Sequence, residues 1–278
     1  MRINIGVHES FIEIVSVCTI IFHMEFQWII KDKDISLLRD FVHGHQNNNF
    51  VKNRIKRNLS DEIPKFSKEE FWKWMLACLL TTQQRSGPNS KISKLLVTNP
   101  FPLGYQYCKK STTLQEDSYK ILTRFGGIRR TNKISDEIVS NLNLLESGGW
   151  NDILRIAAKL LEIRKEKPKS KNINLERQAC SIAQNLKGIG PKQSRNLWQA
   201  LGLTRYEIPI DSRIIKWLNK NGFPFKLSTS GLSDENYYRL LMDGIQKWCL
   251  ESDVLPCVLD AAIFSSYDGE WPENYELW

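Results

Sequence analysis

The chain is 278 residues long, 41% hydrophobic and 25% charged, an ordinary globular balance that excludes a mostly disordered protein. Its 39 Lys and Arg outnumber its 31 Asp and Glu, and the formal net charge of +8 suits a polyanionic partner. The cysteines Cys18, Cys78, Cys108, Cys180, Cys249 and Cys257 form no C-x-x-C pair and mostly sit in apolar runs. They argue against a zinc site or disulfide framework and for buried, inert thiols in a reducing compartment.

In chain order, residues 11–30 are apolar but broken by Glu13, His23 and Glu25. The unbroken stretch falls short of the ~20 residues a membrane span needs, and no basic region with a cleavage site marks a signal peptide. Met24 opens more ordinary sequence. Residues 1–23 are therefore expected to be an upstream or poorly ordered extension, with an edge strand as the alternative, and 24–278 to form the functional domain. No membrane partner is expected. From about residue 60 the pattern turns helical. Ser67 and Glu70 form a capping box, with Phe66 and Phe71 at the staple positions. The helix they start should run through WKWMLACLLTTQQ to Gly87-Pro88.

Further helices are expected over 117–124, 132–145, 152–166, 175–186, 191–201, 212–220, 234–250 and 256–267. Gly148-Gly149, the run Lys165–Lys171 and Gly222-Phe223-Pro224 separate some of them. The chain reads as all-α, with any short strands confined to its N-terminus. Three basic clusters stand out: Lys52, Arg54, Lys56 and Arg57; then Arg124, Arg129, Arg130 and Lys133; then Arg164, Lys165, Lys167, Lys169 and Lys171. Each is a solvated face or a polyanion contact. Glu166 and Pro168 make the third read best as a linker.

The most informative stretch is Leu186-Lys187-Gly188-Ile189-Gly190-Pro191-Lys192. A helix ends at Leu186, and Pro191 can open the next as its first residue. The glycines permit positive φ and close approach by a ligand. The amides of Gly188, Gly190 and the following first turn can point at a phosphate, favoured by the helix dipole. Alone, this reads first as a tight turn between packed helices. Downstream, Ile208-Pro209-Ile210-Asp211-Ser212-Arg213-Ile214 puts Asp211 where a new helix should start, as its N-cap.

Taken together, LKGIGPK and IPIDSRI resemble the two signature elements of the helix-hairpin-helix base-excision DNA glycosylase superfamily. The spacing from Lys192 to Asp211, 211 − 192 = 19 residues, is that of members carrying both. Lys187 stands where proline is usual, and Arg213 where a small or imidazole side chain is frequent; neither departure is expected to touch the chemistry. More weakly, Leu79–Gln84 resembles the segment whose glutamine fills the space of a flipped base, which points to Gln83. Phe125–Arg130 is similar to the wedge loop, with Ile128 or Arg129 as wedge and Arg130 beside it. The similarity covers roughly residues 70–220 and is strong over 186–214.

The resemblance implies two helical lobes with a base-binding cleft between them and the hairpin at 186–192, acting as a monomer on damaged double-stranded DNA. It makes Lys192 and Asp211 catalytic and assigns DNA contact to Gly188, Gly190, Gln83, Ile128, Arg129 and Arg130. Lysine at position 192 implies a bifunctional glycosylase/AP lyase working through a Schiff base. Read alone, Lys192 is more commonly a phosphate-contacting lysine; the matching motif and spacing favour the nucleophile. Past Asp211 only Cys249 and Cys257 remain, too few for a four-cysteine iron–sulfur loop. No cofactor or metal is expected, and the lean is towards the cluster-free 8-oxoguanine branch. Trp198, Trp217, Trp248, Phe264 and Trp271 are core residues or stacking surfaces, and Asp260 a carboxylate that caps or hydrogen-bonds within the last helix or, as the sharper reading, contacts an oxidised purine. Location follows the source: cytoplasm or nucleoid in a prokaryote, nucleus in a eukaryote. The alternatives are a monofunctional glycosylase for alkylated or mispaired bases, or a non-enzymatic hairpin module that binds DNA.

Overall fold

The side chains of Asn48, Ser67, Ser90, Asp211 and Asp234 cap the starts of five helices. In a computed structural model, which describes residues 28–84, 87–273 and 275, the chain folds as α1 (Asp32–His45), α2 (Asn49–Leu59), α3 (Lys68–Thr81), α4 (Lys91–Leu96), α5 (Tyr105–Lys110), α6 (Leu114–Phe125) and α7 (Thr131–Leu144). It continues through α8 (Trp150–Arg164), α9 (Ile173–Ala183), α10 (Pro191–Ala200), α11 (Ser212–Lys220), α12 (Glu235–Glu251) and α13 (Pro256–Asp268). No strand occurs among the described residues, so the fold is all-α. The expected start at Met24, residues 1–23 and Cys18 lie outside them.

The Ser67 hydroxyl accepts the Glu70 amide at 3.1 Å, and Phe66 packs edge-on against Phe71 with ring centroids 6.2 Å apart. α3 buries Phe71, Trp72, Met75, Leu76, Leu79 and Leu80. Each such side chain contributes roughly 1.5–3 kcal/mol over an exposed one, so α3 is the central rod of the core. It stops at Thr81 rather than at Gly87-Pro88, because Gln83 turns to φ +60°. Between α7 and α8 the chain makes a wide turn in which Gly148 takes φ +120°, the break expected from Gly148-Gly149.

α1 and α2 are helices where sequence patterning showed none. α2 faces the core with Phe50 and Val51, but also with Arg54 and Asn58, polar residues that interrupt the apolar period. Arg54 ion-pairs with Asp260 of α13 with both side chains buried. The Asn58 amide donates to the carbonyls of Gln199 and Thr204 at 3.0 and 2.9 Å. α1, α2, α11 and α12 gather around α13, while α3 packs against α4, α5, α7 and α10, and α6 with α7, α8 with α9 and α9 with α10 pack as chain neighbours. An open cleft lies between the end of α3 and the starts of α10 and α11. Cys78, Cys108, Cys180, Cys249 and Cys257 are free and buried.

Two buried carboxylates fix the segment between α10 and α11. Glu176 accepts the amides of Arg205, Tyr206 and Glu207 at 3.0, 2.7 and 2.9 Å. Glu207 takes the Arg195 Nε at 2.9 Å, and Arg195 also ion-pairs with Glu235 at 2.8 Å. The Tyr238 hydroxyl accepts the Ile210 amide and donates to the Ile208 carbonyl. These bonds satisfy buried backbone that has no sheet neighbour and set α10 and residue 211 in fixed relation.

Candidate active-site cleft

The hairpin Leu186–Gly190 joins α9 to α10. The Asn141 side chain on α7 holds Lys187 by its amide at 2.7 Å and its carbonyl at 3.0 Å. Gly188 is obligatory on two counts. It sits at φ +80°, and a Cβ there would lie 2.6 Å from Leu79 Cδ2 and 2.7 Å from Glu137 Cδ. Gly190 is different: at φ −93°, ψ −169° it is extended rather than left-handed, and a Cβ would meet nothing within 4 Å. The expectation of positive φ holds for Gly188 alone; Gly190 leaves the outer face open for close approach. Pro191 takes the first helical position, so the Lys192 and Gln193 amides have no partner within the helix. Gly188→Ala should lower unfolding free energy by about 1–3 kcal/mol, while Gly190→Ala stays within roughly 0.5 kcal/mol of wild type. Urea denaturation curves check this; equal midpoints for the two would contradict it.

Lys192 and Asp211 both line the open cleft, of about 640 Å³, and both line a smaller cavity of about 100 Å³ behind it. Lys192 is half-buried and takes part in none of the ion pairs or hydrogen bonds of the described structure. Asp211 is the N-cap of α11: its Oδ1 accepts the Arg213 and Ile214 amides at 2.8 and 3.3 Å. Its Oδ2 accepts the Arg213 Nε and Nη2 at 2.9 and 2.6 Å. Burial pushes the carboxyl up, but the Arg213 charge and hydrogen bonds, with Lys192 adding to them, hold it below the usual aspartate range. A carboxylate so held stays ionised and suits stabilisation of a nearby cation better than proton uptake.

The facing wall comes from the turn after α3, the start of α4 and the loop before α7. Gln83 is exposed at its φ of +60° and lines the cleft. The next residue, Gln84, reaches across: its Oε1 accepts the Arg129 amide at 2.7 Å, and its Nε2 donates to the Leu80 carbonyl at 2.7 Å and the Arg129 carbonyl at 3.4 Å. Gly126 and Gly127, at φ +75° and +71°, let the loop turn there. Arg129 is exposed and lines the cleft.

The smaller cavity is walled by Phe50 and Arg54 of α2, Lys192 and Asn196 of α10, and Asp260 and Phe264 of α13, with Pro209, Asp211 and Arg213 alongside. Phe50 and Phe264 stack with centroids 4.4 Å apart. The Arg213 guanidinium lies 4.0 Å from the Phe264 ring centre. The cavity thus combines aromatic faces with two acids and three bases, four of the five tied into ion pairs.

Two crystal structures from Methanocaldococcus jannaschii resemble this chain in fold. One, of an 8-oxoguanine glycosylase/lyase in complex with a 15mer DNA containing 8-oxoguanine, superposes with a TM-score of 0.57 over 85% of this chain and 99% of that one, at 17% identity. The other, of an 8-oxoguanine DNA glycosylase, gives a TM-score of 0.54 over 86% of this chain and 97% of that one, also at 17% identity. The chain shares the all-α fold of these two structures. No protein-family profile and no curated protein matches it in sequence.

Within this shared fold the sequence-nominated residues separate. Lys192, Asp211, Gln83 and Arg129 meet at one cleft. Ile128 packs part-buried against the core, leaving Arg129 as the side chain presented to the cleft. Arg130 turns back to Glu137, Nη2 to Oε1 3.4 Å, and does not line the cleft. The first basic cluster is not one solvated face: Arg54 is buried against Asp260 and Arg57 is half-buried. In the third, Arg164 is buried and donates to the carbonyls of Gly202 and Arg57. Trp198, Trp217, Trp248 and Trp271 are core residues, and of the nominated rings Phe264 alone lines the smaller cavity. Asp260 does not cap α13; it pairs with Arg54 at the cavity wall. Two residues gain importance that the sequence did not single out, Gln84 and Asn141. Arg213 requires a correction: set aside as unrelated to the chemistry, it grips the Asp211 carboxylate. A side chain returning to its own N-cap two residues back leaves no periodic signal.

Proposed function

We propose that the protein is a base-excision DNA glycosylase with associated AP lyase activity, acting on an oxidised base, 8-oxoguanine foremost, in double-stranded DNA. The observation that carries this reading is the placement of Lys192 and Asp211 on the same small cavity, with Lys192 unpaired and Asp211 held ionised. The cleft takes the duplex, the hairpin amides and first turn of α10 take a phosphate, and the flipped nucleotide enters the cavity.

There the Lys192 amine, free of its proton, attacks the anomeric carbon. The glycosidic bond breaks with its electron pair leaving on the base, and the base takes up the proton that the new C–N bond sheds. The Asp211 carboxylate stabilises the positive charge that develops on the sugar. Ring opening yields a Schiff base; loss of a C2′ proton then expels the 3′ phosphate, and water releases Lys192. The named activities of the two structural neighbours support the substrate, and a lysine at this place supports the lyase.

The test is a panel of duplexes, each with one lesion, incubated with the wild-type protein and borohydride. A covalent protein–DNA complex is expected with 8-oxoguanine and with abasic DNA. Base release without a trapped complex would make the enzyme monofunctional, and binding without release would make it a DNA-binding module.

A further inference from the structure

Arg213 stands in the cavity wall with three engagements. Its Nε and Nη2 grip Asp211 Oδ2 at 2.9 and 2.6 Å, its Nη1 donates to Asp268 at the end of α13 at 2.8 Å, and its plane rests on Phe264 at 4.0 Å. A two-pronged guanidinium–carboxylate contact fixes the direction as well as the charge of a carboxylate. The N-cap bonds to Oδ1 fix the other oxygen. Asp211 therefore cannot swing about χ1 without giving up four hydrogen bonds to its carboxylate, two of them from the charged guanidinium.

We propose that Arg213 is a positioning residue for base excision: seated on Phe264 and tied to Asp268, it holds the Asp211 carboxylate aimed into the small cavity and makes that aim depend on where α13 sits. The inference rests on the glycosylase reading for its effect on rate, but the clamp itself is a property of the free protein. Alignment within a fraction of an ångström is what such a clamp supplies; its loss is felt as misplacement of the charge facing the sugar. Phe264 lines the cavity that would receive the base, so a base that shifts Phe264 also shifts Arg213 and, through it, Asp211.

The charged groups around Asp211 define a pH signature. On its own helix Arg213 faces it; from α10, Lys192; from α13, Asp260; Arg54 of α2 sits behind Asp260. With Arg213 removed, Lys192 remains as a favourable cation against the Asp260 carboxylate. The Asp211 carboxyl must then titrate at higher pH. The folded group's affinity for protons is depressed by Arg213, so activity requiring the ionised form is present above its titration and lost as pH falls through it. Removing the clamp moves that loss upwards.

The experiment uses the full chain with carbon-13-labelled aspartate, Asp211→Asn giving the assignment, and follows two readouts for wild type, Arg213→Gln, Arg213→Lys and Asp268→Asn. In the free protein the Asp211 carboxyl resonance should titrate higher in Arg213→Gln than in wild type, with Arg213→Lys between them. In single-turnover excision the Arg213→Gln rate should fall by about 10²-fold near neutral pH, and its acid limb should move the same way as the titration. Asp268→Asn, which keeps the contact to Asp211 but frees the far end of Arg213, should show a smaller loss and no change in acid limb. Wild-type excision with an unchanged rate and acid limb in Arg213→Gln would overturn the inference. Absence of excision by wild type would overturn the glycosylase reading instead, and the carboxyl titration would still decide whether the clamp exists.

Discussion

Lys192→Gln should form no borohydride-trapped complex with either lesion-bearing or abasic DNA, yet bind both. The reason is chemical: glutamine nearly matches the reach of lysine but its amide nitrogen is not a nucleophile, so no Schiff base can form. It is also structural. Lys192 has no ion-pair partner, so its removal strands no buried charge, and its helix is held by Pro191 and by Arg195, whose ion pairs with Glu207 and Glu235 do not involve Lys192. Melting temperature should therefore match wild type. The competing role, a lysine resting on a phosphate, predicts the reverse. Binding would weaken across all sequences with a salt slope lower by about one, and trapping would persist through some other amine. Gel trapping and salt-dependent binding on the same variant separate the two.

Asp211→Asn should slow base release by about 10²–10³-fold, the cost of removing one preorganised electrostatic contact in an active site. Asparagine caps a helix as well as aspartate does, so the Arg213 and Ile214 amides keep their acceptor and the fold survives. What disappears is the negative charge facing the sugar. Abasic DNA needs no base to leave, so Asp211→Asn should still trap on abasic duplex while losing most excision of 8-oxoguanine under single-turnover conditions. Equal loss on both substrates would mean that Asp211 serves only to hold α11.

Where structure depends on local signals, the sequence reading reached it. Pro191 opens α10, Asp211 caps α11 over 212–220, and Ser67 and Phe66 start α3 where expected. The all-α class and the 19-residue interval between Lys192 and Asp211 follow from such signals. α2 shows why others escape: its inward face carries Arg54, whose partner Asp260 lies 206 residues away, so hydrophobic periodicity is broken by a residue that is nonetheless buried. Arg213 escapes on two counts: its grip on Asp211 is local but aperiodic, and its other partners are distant. Its anchors, Phe264 and Asp268, lie on α13, the latter 55 residues on. Arg130 and Ile128 show the converse: residues adjacent in a loop point different ways once Glu137 and the core claim them.

The tether within the facing wall of the cleft, between the turn after α3 and the loop before α7, has an evolutionary consequence. Gln84 grips Arg129 solely by its peptide amide and carbonyl, and residue 129 has no unusual backbone angle to satisfy. The scaffold thus presents whatever side chain occupies that position at one fixed place, without asking what it is. Variation at 129 is uncoupled from folding, so lineages, or a saturation library, can exchange the group offered to DNA while the rest of the molecule stays unchanged.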